Sequence, residues 1–411
     1  MGLWEGKAVT LTNWAGNTTF HAKEVHHPTS LDELQRLVAD SASVRALGSG
    51  HSFNHVADTG GDLVVLDRMP AQVEIDSAQA KVRVGARTTY ATLAPLLHRA
   101  GFALANLASL PHISVGGSVA TGTHGSGDAV RSLAGAVSGI ELVTADGSLL
   151  TLTRGDDEDF PGAVVSIGAL GIVTSLTLDL VPAFELRQYV REGLSQDALE
   201  HFDEIMSSGY SVSLFTDYRD TRVWLKCSDE LTDPDWYGTT AADGPRHPLP
   251  AMPADSCTGQ LGVPGPWFER LPHFRADYPP SGAGDELQSE LLLPRRHAVE
   301  ALRALFAIGD RIRPVLQISE VRSIAADDLW LSPFNGRESI GVHFTWVKDV
   351  AAVMPVLELV EETLAPFEPI PHWGKLFTRW PECPESFRAL ARRLDPGGKF
   401  GNDFTRLLLG E

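Results

Sequence analysis

Along the first 180 residues the apolar positions change period repeatedly, between the three-to-four spacing of helices and the strict alternation of strands. Ser30 followed by Glu33, then Leu34, Leu37 and Val38, predicts a helix opened by a capping box. Val44-Arg45-Ala46-Leu47 predicts a short strand entering a glycine-rich loop, and 62–67 a buried strand. Val73 to Asp76 and Lys81 to Val84 alternate strictly, which predicts a hairpin with one wet face. A helix over 90–100, a second hairpin over 140–152 turning at Ala145-Asp146-Gly147, and a strand over 172–180 complete this half. Beyond Phe184 the pattern loosens, and 231–285 is rich in Pro, Gly and Asp, as long loops are. Strands resume over 315–322 and 340–346, a helix covers 349–364, and the tail from Pro396 to Asn402 reads as a segment returning to a site. The fold class is α+β in two domains: 1–182, then 183–378, with 379–411 rejoining the first.

A chain of 411 residues exceeds the roughly 250–300 at which one core stops growing, so the length agrees with two domains. With 53 acidic and 34 basic side chains, the net charge of -19 disfavours nucleic acid and anionic lipid as partners. A small neutral substrate suits that charge. Cys227, Cys257 and Cys383 lie far apart without Cys-x-x-Cys spacing, so neither a disulfide framework nor a metal site is indicated. No apolar run approaches the ~20 residues of a spanning helix, and Met1 to Lys7 lacks a signal pattern. The expectation is a cytoplasmic monomer.

Two segments carry candidate chemistry. Leu47-Gly48-Ser49-Gly50-His51-Ser52-Phe53-Asn54 follows a strand and offers backbone amides to a pyrophosphate. It departs from G-x-G-x-x-G at Phe53, and no helix with a ribose-binding acid follows, which argues against a nicotinamide fold. The second runs from Ala108 to Gly127 and crowds glycines, hydroxyls and two histidines into 20 residues, too polar and small for a core element and suited to close approach of a large polar ligand.

The pairing of Gly-Ser-Gly-His-Ser at 48–52 with Gly-Gly-Ser-Val-Ala-Thr-Gly-Thr-His-Gly at 116–125 resembles the vanillyl-alcohol-oxidase type of FAD domain. Within it the chain is most similar to the alditol (xylitol) oxidases, through Asn13-Trp14-Ala15-Gly16-Asn17, Ala108-Ser109-Leu110-Pro111-His112, Gly262 to Trp267, Leu271-Pro272-His273-Phe274, His343-Phe344-Thr345-Trp346 and Pro371-His372-Trp373-Gly374-Lys375. The resemblance implies a two-domain flavoprotein with a separate α+β substrate (cap) domain. It implies FAD joined by its 8α-methyl to His51, without a second cysteinyl tether. Ala46, Leu47, Gly48, Ser49, Gly50, His51 and Ser52 would then wrap the pyrophosphate. Ser109, Ser114, Gly117, Thr121, Gly122, Thr123 and His124 would line the flavin, with Val173 on the adenosine side.

Glu320 and Arg322 share one face of a strand, and His343 and Thr345 one face of another. Together with Lys375 they offer an acid, a guanidinium, an imidazole, a hydroxyl and an ammonium to one pocket. The resemblance makes Glu320, Arg322, Thr345, Lys375 and Ser109 the polyol-binding set. Arg322 and Lys375 would stabilise developing negative charge, and His343 is the candidate base, its ordinary pKa of ~6.5 standing near working pH. The implied reaction is hydride transfer from a terminal carbinol to flavin N5, with molecular oxygen taking the electrons as hydrogen peroxide. An aldonolactone oxidase or dehydrogenase shares the FAD loops, and a non-catalytic flavin-binding protein is the third reading.

Overall fold

The computed structural model describes residues 11–250, 252–279 and 285–410. The segment read for a signal pattern, Met1 to Lys7, lies outside them. In the first unit Asp62–Val64 lies between Glu24–His26 and Val44–Ala46 in a small parallel sheet. The strand predicted over 62–67 ends early: the Val65 N–H still reaches His26 O at 2.9 Å, but Leu66–Arg68 turns as a 3-10 helix. The helix Leu31–Asp40 starts where the pattern places it, with Ser30 Oγ accepting from Glu33 N at 3.2 Å. Its acid reaches one residue further back than a capping box requires, to the N–H and hydroxyl of Thr29 at 2.7 and 2.8 Å.

The two predicted hairpins join through Ile172–Asp179 into a five-stranded antiparallel sheet, in the order Val73–Asp76, Lys81–Gly85, Ile172–Asp179, Val137–Val143, Leu149–Thr153. Val82, Val84, Ile140, Leu142, Leu176 and Leu178 turn inward onto Leu34, Val38, Tyr90 and Leu93, forming one core. The helices Glu385–Leu394 and Asp403–Leu409 add Phe387, Leu390, Phe404 and Leu408 to that core. Buried Arg45 ties the parts together, donating to the carbonyls of Val56 and Ile167 at 2.5 and 2.7 Å and to that of Phe400.

The second unit is built on a nine-stranded sheet. Its path runs Thr240–Ala241, Glu185–Glu192, Thr221–Cys227, Ser211–Thr216, Leu316–Ile324, Ser339–Val347, Glu286–Pro294, Ile370–Pro371, with Gly265–Pro266 paired to the start of Glu185–Glu192. The helices Ala298–Ala307 and Val350–Leu364 cover one face, burying Leu302, Leu305, Val353 and Val360 against Leu291, Val321, Val342 and Phe344. The alternate residues, Glu286, Gln288, Glu290, Glu320, Arg322, His343 and Thr345, must therefore occupy the other face. That face is closed as well: Trp267, Leu271, Leu329, Leu331 and Trp373 join the first unit's core. Cross-strand register sets Phe215, Glu320, His343 and Glu290 in one row. Among the described residues no helix is long and apolar enough to cross a membrane.

Candidate active site

The loop after Val44–Ala46 lies against residues 114–117, and Ser49 Oγ accepts from Ser114 N at 3.3 Å. A Cβ on Gly48 would stand 2.8 Å from Ser114 Oγ, and one on Gly117 3.0 Å from the same atom, so the glycines permit the approach. Part of the Ala108 to Gly127 segment does enter the core: Val115–Ala120 is a short helix that buries Val115 and Val119 while its glycines meet the facing loops. The small and apolar residues lie on different sides of that turn, which its composition alone conceals. Ser114 Oγ and Arg87 Nε are buried without hydrogen-bond partners among the described residues, and both residues line the cleft between the loops. Orphaned polar atoms beside close-packed glycine backbone fit a pyrophosphate-bearing ligand.

His51 stands in this cleft with its ring 5.2 Å from that of Trp14. Burial, then the neighbouring His112 and Arg87 side chains, lowers its pKa to about 4, so the imidazole is neutral. The loop bearing it is clamped from two remote segments. Trp14 N donates to Gly50 O at 2.7 Å, and Asn13 and Asn17 donate through their amides to Ser52 O and Phe53 O, each at 2.8 Å. Asn54 Nδ2 donates to Trp373 O and Lys375 O at 2.8 and 2.7 Å, which brings the 371–375 segment to the loop that bears His51.

At the sheet end of the same cleft the polar side chains converge on Glu290. Its Oε1 accepts from Arg322 Nη2 at 2.5 Å and lies 3.2 Å from His124 Nε2; its Oε2 accepts from Lys375 Nζ at 2.6 Å. Burial alone would raise the Glu290 pKa, but the charges of Arg322 and Lys375 hold it well below the usual carboxylate range. Gly341, in register with Arg322, makes the cluster possible, since a Cβ there would stand 2.9 Å from Glu290 Oε1. Lys375 Nζ also lies 2.8 Å from His343 Nδ1, and His343 Nε2 lies 3.1 Å from Thr345 Oγ1. Burial, reinforced by Lys375, lowers His343 to about 3. Glu320 is held ionised by Arg322 and His273 against the cost of its own burial.

Glu320, Arg322, His343, Thr345, Lys375 and Ser109 thus share one cleft with Ala46 to Ser52, Ser114, Gly117, Thr121, Thr123, His124 and Val173. Gly122 does not reach its wall: with φ of +67° it turns against Pro333, 3.2 Å from where its Cβ would be. Sequence reasoning missed Glu290, the hub of the cluster, and its neighbour Glu286, which burial raises to about 7. Alternation of Glu286, Gln288 and Glu290 with Leu287 and Leu291 was the available signal.

Residues 22–153 match a family model described as FAD binding domain, and residues 286–408 one described as D-arabinono-1,4-lactone oxidase. An alditol oxidase of Streptomyces sp. is 52% identical to this chain over 416 residues, spanning 98% of the chain and 99% of that protein. The chain belongs to the vanillyl-alcohol-oxidase type flavoprotein family. This flavoprotein is also 29% identical to an L-gulono-1,4-lactone dehydrogenase of Mycobacterium tuberculosis, across 97% of the chain and 99% of the relative. Its fold matches that of a solvent-stable cholesterol oxidase with a TM-score of 0.77 at 15% identity, covering 98% of this chain and 97% of the other. The cholesterol oxidase of B. sterolicum matches at 0.74 and 14%, covering 97% and 96%. FAD is the cofactor that the glycine cradle accommodates.

Proposed function

We propose that this flavoprotein oxidises the terminal hydroxyl of alditols, xylitol and sorbitol among them, to the aldose. The observation that carries the reading is the set of buried polar side chains Glu320, Arg322, His343 and Thr345, with Lys375 beside them, in the cleft that also contains His51. A polyol presents a hydroxyl on every carbon, and this set with Ser109 supplies acceptors and donors in series, so distant hydroxyls can align the reacting one. FAD, when bound, would supply the hydride acceptor and the two-electron chemistry by which oxygen becomes hydrogen peroxide. His51 is the tether in this reading, supported by its neutral ring. Arg322 would offset charge developing on the substrate oxygen, joined by Lys375 in its protonated form. We also place the protein in the cytoplasm as a monomer, with residues 1–182 and 379–411 holding the flavin and 183–378 the substrate.

The base is best described as a pair. While Lys375 is an ammonium it can only donate, so His343 Nδ1 accepts and Nε2 already carries hydrogen. With Lys375 neutral, Nδ1 can carry the hydrogen, which leaves Nε2 an acceptor 3.1 Å from the Thr345 hydroxyl. The substrate proton then passes to Nε2 and the Nδ1 proton to Lys375 Nζ. Burial lowers the pKa of Lys375, while the carboxylate of Glu290 opposes that shift.

The lactone oxidase description matched by residues 286–408, which include Glu290, Glu320, Arg322 and His343, favours an aldonolactone as second reading. One assay separates the two: peroxide release from xylitol, sorbitol, glycerol and an aldonolactone, with acid precipitation of the same preparation. Peroxide from xylitol and sorbitol with a yellow pellet is expected. Peroxide from the lactone alone replaces the alditol reading, and a colourless pellet removes the tether.

A further inference from the structure

Behind Glu320, away from Glu290, a further buried lysine reaches the site. Lys226 lies on Thr221–Cys227, in register with Gln188 and Ser211, and is 1% exposed. Among the described residues it forms no ion pair. Its Nζ donates to Leu271 O at 2.5 Å and lies 3.4 Å from His273 Nδ1. His273 in turn lies with Nε2 2.9 Å from Glu320 Oε1, its ring set edge-on to Phe215 at 5.2 Å between centroids.

The tautomer follows from the partners. An ionised carboxylate only accepts, so His273 Nε2 carries the hydrogen, and Nδ1 presents a lone pair that an N–H of Lys226 complements. A buried lysine without a carboxylate is costly, and an apolar residue would fill that strand position at less cost. Anchoring the Leu271 carbonyl does not require a charge. What the charge does serve is the chain from Lys226 through His273 to Glu320.

We infer that Lys226 and His273 are positioning residues for Glu320, fixing one carboxylate oxygen so that the other, Oε2, is presented to a substrate hydroxyl. The inference rests on the polyol reading for the identity of that hydroxyl. Oε2 stands 3.7 Å from Arg322 Nε, a buried atom without a hydrogen-bond partner among the described residues, so no hydrogen bond from that guanidinium nitrogen occupies the oxygen offered to a bound alcohol. The charged and titratable groups that act on Lys226 and Glu320 are Arg322, His273 and His343. Burial lowers Lys226 to about 7, so its ammonium reinforces the arrangement below neutral pH and is lost above it.

The test compares His273→Leu, His273→Gln and Lys226→Met in the flavin-loaded protein. His273→Leu is expected to raise the polyol KM about tenfold with a smaller change in kcat, as loss of a hydrogen bond to a charged group implies. His273→Gln keeps a donor near Nε2 and should return KM to within about threefold of native. In the native enzyme KM should rise as pH passes 7, and in Lys226→Met that step should vanish. A readout independent of turnover is 15N NMR of labelled histidine: the His273 Nδ1 signal, identified by its loss in His273→Gln, should titrate near pH 7 in the native protein but not in Lys226→Met. Folded, yellow variants with native KM and pH profile overturn the inference, as does an Nδ1 titration that survives Lys226→Met. Should the native protein oxidise no polyol, the polyol reading falls alone, and the NMR result still decides whether Lys226 and His273 are coupled.

Discussion

Glu290 has no exposed surface on its side chain, yet three cationic or ring nitrogens lie within 3.2 Å of its carboxylate. Replacing it with Gln keeps the volume and removes the charge, leaving Arg322 and Lys375 less compensated in a dry environment. Breaking such a buried pair costs about 3–5 kcal/mol, so Glu290→Gln should lower the urea midpoint markedly and kcat/KM about 100-fold. A native midpoint would show that Glu290 does not balance these cations. Lys375→Arg tests the paired base separately. Arginine preserves the charge beside Glu290 but does not become neutral at working pH. If His343 needs an amine beside it, this variant should lose about 100- to 10,000-fold in kcat, close to His343→Ala, as loss of general base catalysis does. Near-native flavin reduction in either variant would move the base elsewhere.

At the scale of elements, the hairpins of the first unit were legible because each has a wet face and a dry one, so Val82 and Val84 alternate with Lys81 and Arg83. The strand Glu286–Pro294 was not. Ser289 occupies a helix-facing position, where its hydroxyl accepts from Trp346 Nε1 at 2.8 Å, and it interrupts the apolar series between Leu287 and Leu291. Ser211–Thr216 is buried at every position, so its Ser-Val-Ser-Leu-Phe-Thr pattern marks two chemically different covers instead of water and core. The site strands invert the usual rule in the same way: polar residues alternate with apolar ones, but both faces are dry. Glu320, Arg322, His343 and Thr345 were legible as pairs by spacing, and their common purpose came from the family resemblance. The cradle gives an element-scale prediction. Gly48→Ala places a methyl 2.8 Å from Ser114 Oγ, too close without separating the loop from the Val115–Ala120 turn. Flavin content, read as the ratio of flavin to protein absorbance, should fall while the apoprotein remains folded by circular dichroism. Full flavin content would mean that this contact does not define the cradle.

For the whole molecule, enclosing the cleft between two units has a cost that pH exposes. His247 and His273 are lowered to about 4 and His343 to about 3, with burial the largest cause, and burial likewise depresses His124 and His372. In the unfolded chain these rings titrate near the ordinary 6.5. Between about 4 and 6.5 the unfolded state therefore binds protons that the folded state refuses, and stability must fall as pH falls through that window. Lys226 acts in the same sense at higher pH: it is lowered from 10.5 to about 7, so stability contributed there rises with pH between those values. Glu286 opposes both. Raised from 4.5 to about 7, it keeps a proton in the fold that the unfolded chain has lost, which favours the folded state as pH drops. Burial raises Asp327 and Glu361 in the same direction, but six imidazoles, His51 included, are lowered, and they leave the histidines dominant below 6.5. Below 4.5 the depressed carboxyls Glu290 and Glu320 add to the loss, because protonating them in the unfolded chain costs less. The melting temperature should be nearly level from pH 7 to 6.5 and then fall by several degrees by pH 5, with His343→Gln and His273→Gln each flattening the decline. A melting temperature unchanged between pH 7 and pH 5 would mean that these rings are already protonated in the folded protein, and that the neutral imidazole required of His343 is not its resting state.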